Sequence, residues 1–135
     1  MVSSCTIAPE VSEAFKEVSQ NKAKYLLAQI DDGTSNISLV AKGEKDATFD
    51  TFKAEFPADL PRYAFYNLQF TTDDGLKMSK ILFVSYVPDD CKQMGLKFEY
   101  ANFKEAFKSP HQPINKEIQV NIPLDLDEQA WIEDL

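Results

Sequence analysis

Apolar positions first fall at helical spacing at Val11, Ala14, Phe15 and Val18, behind Pro9, Glu10 and Glu13, predicting a helix over about 9–20 that stops near Asn21. The eight residues before it (MVSSCTIA) show no periodicity and read as a flexible arm. Tyr25 to Ile30 and Ile37 to Val40 are apolar runs flanking the turn cluster DDGTSN, a hairpin signal. Thr48 with Phe49, Phe52 and Phe56 predicts a short helix halted by Pro57. Arg62 to Thr72 and Leu76 to Val87, dense in aromatic and β-branched residues around Asp73-Asp74-Gly75, predict the hairpin at the centre of a sheet. Cys91 to Lys108 reads as a long amphipathic helix ending before Ser109-Pro110. His111 to Lys116 reads as a loop, Glu117 to Ile122 as a last short strand, and Pro123 to Leu135 as holding a short acidic helix in which Ala130, Trp131 and Leu135 are available for packing. The order α, β, β, α, β, β, α, β, α predicts one α/β domain over 1–135, a five-stranded mixed sheet flanked by helices on both faces.

At 135 residues, with 44% hydrophobic and 27% charged side chains, the chain is long enough to bury a core without disulfides or metals. Its formal charge of −8 gives a field that repels phosphate, which argues against nucleic acid as a partner. The charge is uneven. Residues 1–74 carry 7 bases and 12 acids, residues 75–116 carry 7 lysines and 4 acids, and residues 117–135 carry 6 acids and no base. Basic charge therefore gathers around the second hairpin and the long helix.

Cys5 and Cys91 lie far apart, and neither a secretory segment nor a membrane-spanning apolar run is present, which reads as a reducing, cytosolic setting with free thiols. One histidine, His111, and four glycines leave no phosphate loop, dinucleotide fingerprint or zinc spacing, so neither metal nor cofactor is expected. Asp31/Asp32, Asp73/Asp74 and Asp89/Asp90 could be read as paired carboxylates of a hydrolase. All three sit at predicted turns, where Asp is favoured for local backbone bonding, and the turn reading outweighs the enzymatic one. Calcium at DDGTSN lacks the spacing and closing Glu of a helix–loop–helix site.

On the long helix, Lys97, Lys104 and Lys108 fall within about 40° of one another, apart from a stripe of Leu96, Tyr100, Phe103 and Phe107. One stripe is core. The basic one reads either as a solvated face or as a binding face.

The words RYAFYNLQF, MSKILFVSYVPDD and KFEYANFKEAF, in this order and spacing, resemble the actin-depolymerising factor/cofilin family. The most specific part is Lys97-Phe98-Glu99-Tyr100-Ala101-Asn102-Phe103-Lys104-Glu105-Ala106-Phe107, against a family helix written Lys-Met-x-Tyr-Ala-Ser-Ser-Lys-Asp-Ala-Leu. The arm also aligns from Val2 to Phe15. The resemblance implies an ADF-homology domain, a cytoplasmic, monomeric, non-enzymatic protein that binds actin monomers, favours their ADP form and promotes filament turnover. It carries the monomer surface onto Ser3, Ser4, Lys92, Met94, Lys97 and Lys104, the filament surface onto Lys77 and Lys80, and a switch-type phosphorylation onto Ser3, where a phosphate would add about −1.5 to −2 charge. Family members also commonly bind phosphoinositides, here through Lys77, Lys80, Lys97, Lys104 and Lys108, and weakly against the overall charge.

The departures shape the expectation as much as the matches. Gly95 stands where the family has an arginine two residues before the helix lysine, with Lys92 the candidate to supply that charge from a shifted position. Met78 stands where an arginine is common, and the final stretch LDLDEQAWIEDL carries five acids and no base where the family has a longer, basic tail. The chain is thus expected to be a divergent, acidic member with a short C-terminus, retaining monomer binding with weakened filament binding and severing. The alternative is a coactosin-like filament-side binder with the same fold and no depolymerising activity.

Overall fold

Alternation decides the architecture. Along the fourth strand, Tyr63 and Phe65 are buried on one face while Ala64, Tyr66 and Leu68 are buried on the other, so the sheet needs cover on both sides. The computed structural model, which describes residues 5–31 and 34–133, supplies that cover with helices on each face. Its elements are β1 (Thr6–Ile7), α1 (Pro9–Ser19), β2 (Ala23–Ile30), β3 (Asn36–Glu44), α2 (Phe49–Ala54), β4 (Arg62–Thr71), β5 (Lys77–Tyr86), α3 (Met94–Lys108), β6 (Lys116–Val120), a 3-10 turn (Pro123–Asp125) and α4 (Glu128–Glu133). The sheet order is β1-β3-β2-β4-β5-β6, with β1 parallel to β3, β5 parallel to β6 and the inner pairs antiparallel.

On the first face, Val11, Phe15 and Val18 of α1 and Tyr100 and Phe107 of α3 pack on Leu26, Ala28, Tyr63, Phe65 and Phe83. On the second, Phe52 of α2 and Trp131 of α4 pack on Tyr25, Leu27, Tyr66, Leu82 and Val84. Aromatic rings meet throughout this second layer, with Phe49 edge-on to Trp131 at 5.3 Å and Phe52 tilted against Tyr66 at 4.7 Å between ring centres.

The expected α/β sandwich is present with three corrections. The sheet has six strands rather than five, because Thr6 and Ala8 donate their N–H groups to Ser35 O and Ile37 O, each at 2.9 Å. The arm expected to be flexible over 1–8 is therefore pinned from Thr6 onward; residues 1–4, including Ser3 and Ser4, lie outside the described residues. Two paired residues are too short for alternation to reveal, although Ala8 precedes Pro9 and is held extended for that reason.

The second correction is at β3, which runs to Glu44 rather than Val40. Gly43 sits directly opposite Tyr25, and a Cβ there would lie 2.2 Å from the tyrosine ring, so only glycine lets the strand continue past it. Third, the long helix starts at Met94, since Cys91 N–H closes a turn onto Pro88 O at 3.0 Å first. Helix α1 ends as Asn21 predicts. That residue takes φ of 59°, and the N–H groups of Lys22 and Asn21 return to Glu17 O and Val18 O at 2.8 and 3.2 Å, a Schellman closure. Asp127 caps α4 by accepting from Gln129 and Ala130 N–H, while Leu135 lies outside the described residues.

Candidate functional site

Strand directions bring three candidate segments to one end of the sheet. The start of β1, the end of β2, the start of β4 and the ends of β5 and β6 share that edge, and α3 begins beside it. Val87 and Asp89 N–H donate to Val120 O and Asn121 O at 2.9 and 2.7 Å, tying the entry to α3 against the segment that follows β6.

Tyr100 fixes the orientation of α3. Its hydroxyl accepts the buried Ile30 N–H at 2.9 Å, and Tyr63 donates its own hydroxyl to the Tyr100 carbonyl. Tyr63 also stacks on Phe107, with ring centres 4.9 Å apart. Burial first, then the neighbouring Tyr100, pushes the Tyr63 hydroxyl far above its ordinary range, so it stays a proton donor at any physiological pH.

With Tyr100 and Phe107 turned inward, the opposite side of the helix faces solvent. Met94 and Phe98 are 60% and 64% exposed and lie four residues apart, hence on one face. Lys97 is half-exposed beside them, and among the described residues it is in no ion pair. Leu124, 77% exposed, and Ile122 follow on the neighbouring segment. Large apolar side chains this open, grouped at one end, make this face a candidate docking surface. Gly95 lies within this face and a Cβ there would meet nothing within 4 Å, so its difference from the family arginine is one of charge, not space. Lys92 is exposed on the approach to the helix.

The basic stripe does not stay together. Lys104 Nζ lies 2.9 Å from Glu117 Oε2, and Lys108 Nζ reaches both Glu117 Oε1 and, at 3.3 Å, Glu105 Oε1. Lys104, expected on the monomer surface, is half-buried and engaged with β6, whereas Lys97 is in no ion pair among the described residues. Burial pushes the Glu117 carboxyl upward, but the bonds from Lys108 and Lys104 outweigh it and the net direction is down.

Lys77 and Lys80 stand on β5 at the opposite end of the sheet, Lys77 exposed and Lys80 half-buried. Beside them Phe70, Met78, Gln69, Thr71 and Ser79 line a shallow hollow of about 430 Å³, and Leu76 projects at the turn. Gly75 takes φ of 84° there, as the Asp-Gly turn predicts.

The remaining candidates that are described resolve into local structure; Asp32 lies outside the described residues. Asp31 accepts the Ser38 hydroxyl at 2.7 Å, and Asp73, Asp74, Asp89 and Asp90 are exposed at turns. Among the described residues no group of three His, Cys, Asp or Glu side chains could hold a metal, and no helix is long and apolar enough to cross a membrane. His111 is buried, its Nδ1 2.6 Å from Phe107 O and its Nε2 3.1 Å from Ser12 Oγ, joining α1 to the end of α3.

Phe98, Leu124 and Glu117 are the residues that sequence reasoning missed. Phe98 carried a signal: at about 100° per residue it falls roughly opposite Tyr100 on the helix, an apolar side chain outside the core stripe. Glu117 carried none, because its lysine partners lie on another element.

The architecture is thus an α/β sandwich, a mixed sheet between helix layers in which one anchored helix presents apolar side chains outward. The family model for cofilin/tropomyosin-type actin-binding proteins matches residues 4–135. Actin-depolymerizing factor 10 of Oryza sativa subsp. japonica is 36% identical over 121 residues, 88% of this chain and 80% of its own length. Among solved structures, Streptomyces griseoflavus cofilin superposes with a TM-score of 0.87 at 24% identity, covering 96% of each chain. Entamoeba histolytica coactosin gives 0.82 at 19% identity, covering 96% of this chain and 92% of its own. The chain belongs to the actin-depolymerising factor/cofilin family, whose members bind actin and are not enzymes.

Proposed function

We propose that residues 1–135 act as one monomeric, cytoplasmic ADF-homology domain that binds actin monomers, favours the ADP form and promotes filament depolymerisation, with filament binding and severing weakened. The observation that carries the reading is the open Met94–Phe98 pair beside Lys97, on a helix held rigid by Tyr100. Ser3, Ser4, Lys92, Met94, Lys97 and Lys104 form the monomer surface in this reading, with Leu124 and Phe98 added. Lys77 and Lys80 are the remaining cations of the filament surface. Asp125, Asp127, Glu128 and Glu133 surround α4 with negative charge, which would repel a like-charged filament contact. Phosphorylation of Ser3 would add negative charge to the monomer face, and any phosphoinositide contact is weak at a net charge of −8.

A coactosin-like filament-side role is the second reading. The likeness to a coactosin structure bears on the fold, and the exposed apolar pair on α3 favours the monomer reading. Titration of labelled ADP- and ATP-actin monomers, together with filament co-sedimentation and length measurement, separates the two. Tighter binding to ADP monomers with a rise in soluble actin supports depolymerisation. Co-sedimentation with filaments of unchanged length, and no monomer binding, would support the coactosin-like role instead.

A further inference from the structure

Arg62, the only arginine in the chain, opens β4 and lines a hollow of about 290 Å³ between the end of β2, the start of β4 and the first turns of α3. Its Nη1 donates to Pro61 O at 2.8 Å, and its guanidinium reaches the Tyr100 hydroxyl. Burial pushes that hydroxyl's pKa up, and the Ile30 N–H and then the charge and hydrogen bonding of Arg62 oppose it. The Nε–H is left over: it is buried, and no described residue accepts it. A buried donor without an acceptor is unfavourable, and Arg62 is in no ion pair among the described residues. The walls of the hollow add the carboxamides of Gln29 and Gln93, which can donate, and the apolar flanks of Ile30 and Leu96. Asp31 is the acid of the lining among the described residues, and its Oδ1 already accepts the Ser38 hydroxyl at 2.7 Å.

A cation with a spare N–H, further donors on the walls and apolar flanks suits a carboxylate carried on a short aliphatic stem. Asp31 opposes a dianion such as phosphate more strongly than a single negative charge. Gln93 and Leu96 neighbour Met94 and Phe98 at the start of α3, so the hollow borders the exposed apolar face. We propose that this hollow is a carboxylate socket at the rim of that face, in which Arg62 takes an Asp or Glu side chain of the docked actin. The inference rests on the actin-monomer reading and adds a polar anchor beside its apolar contact. A small turn of the guanidinium sets Nε–H and a terminal N–H side by side on the two carboxylate oxygens, a fork that lysine cannot make. At a net charge of −8, an arginine held at the docking face favours an acidic spot on the partner that the rest of the chain repels.

Titration of labelled ADP-actin monomers with wild type and variants reads the contact. Arg62→Gln should weaken binding about tenfold at low salt, and its affinity should fall less steeply with added salt than that of wild type. Arg62→Lys keeps the charge without the fork and should recover only part of the loss. Because Arg62 also braces Pro61 and Tyr100, Gln29→Glu is the second variant. It leaves those bonds in place, sets a competing carboxylate on the wall, and should weaken actin binding while its thermal melt stays at or above that of wild type. A separate measurement needs no actin. The single arginine gives one side-chain Nε–H signal in nitrogen–proton NMR, absent from Arg62→Lys, which should move saturably with sodium acetate and less with chloride or phosphate at equal ionic strength. An Nε signal that acetate moves no more than chloride would overturn the proposal. So would unchanged actin affinity and salt dependence in Arg62→Gln, which leaves the actin reading intact where Phe98→Ala still weakens binding. A loss seen only in Arg62→Gln and matched by a fallen melt would make Arg62 a brace rather than a contact, which overturns it too. No actin binding by wild type would overturn the underlying reading, and the socket as an actin contact with it, whatever acetate does.

Discussion

Phe98 and Phe107 are the same residue on the same helix, with opposite surroundings, and truncating each should separate docking from folding. Phe98 is 64% exposed, whereas Phe107 is fully buried among Tyr63, Phe65, Phe83 and His111. A phenylalanine side chain offers about 200 Å² of apolar surface, so about 130 Å² of Phe98 is left for a partner to cover. At about 25 cal/mol per Å², covering it contributes about 3 kcal/mol at most, and about 2 kcal/mol after the ordering cost of association. Phe98→Ala should thus weaken monomer binding by about 30-fold, with a shift in Tm of no more than a few degrees. Phe107→Ala removes a packed ring and should cost about 3–5 kcal/mol of stability. Titration of fluorescent ADP-actin monomers and a thermal melt measure the two quantities on both proteins. If Phe98→Ala binds actin as tightly as wild type, the exposed face of α3 is not the docking surface. If its melt falls as far as that of Phe107→Ala, the helix is rotated relative to the packing described.

The other predictions concern single features. Lys97→Glu should weaken monomer binding more than tenfold and leave Tm nearly unchanged, since an exposed charge contributes little to stability; unchanged affinity would remove Lys97 from the site. Gly43→Ala should lower stability by about 1–3 kcal/mol because its methyl group meets the Tyr25 ring, and a denaturant melt superimposable on wild type would show that the ring moves aside freely. Burial lowers the pKa of His111 against a smaller opposing effect of its bond to Phe107 O, so the unfolded chain binds a proton that the folded chain refuses. Stability should therefore fall as pH drops below about 6.5, and the urea midpoint of His111→Gln should decline less between pH 7.5 and 5.5; equal declines would refute the assignment.

The parts of the fold legible in the sequence are those whose signal is local. The β4–β5 hairpin announces itself because Tyr63 to Phe70 and Ile81 to Tyr86 must satisfy two buried faces at once, leaving long aromatic runs around an Asp-Gly turn. The helix ends at Asn21 and Thr48 are legible for the same reason, since each is a single side chain or dihedral. The sixth strand was not, because Thr6–Ile7 is defined by Ser35 and Ile37 rather than by its own residues. The same limit splits the site. Met94 and Lys97 enter the candidate site through the resemblance of the long helix, and whether Lys104 is free depends on Glu117, 13 residues away on β6. A stripe of like charges on a helical wheel says nothing about the acids that neighbouring elements bring to it.

On the proposed reading, this division would let a chain of net charge −8 keep one actin contact while another is weakened. In that reading the face at the start of α3 would rely on Met94, Phe98 and Leu124, whose burial is favourable whatever the sign of the surrounding field. The opposite end of the sheet offers Lys77 and Lys80 around a partly apolar hollow, and α4 offers only acids among its described charged residues. A contact built on cations loses attraction with each replacement and then gains repulsion, so its decline is steeper than the loss of a few bonds. Acidic drift in such a chain is therefore selective: it spares a surface held by apolar area and erodes one held by charge, without any change in the sheet that carries both.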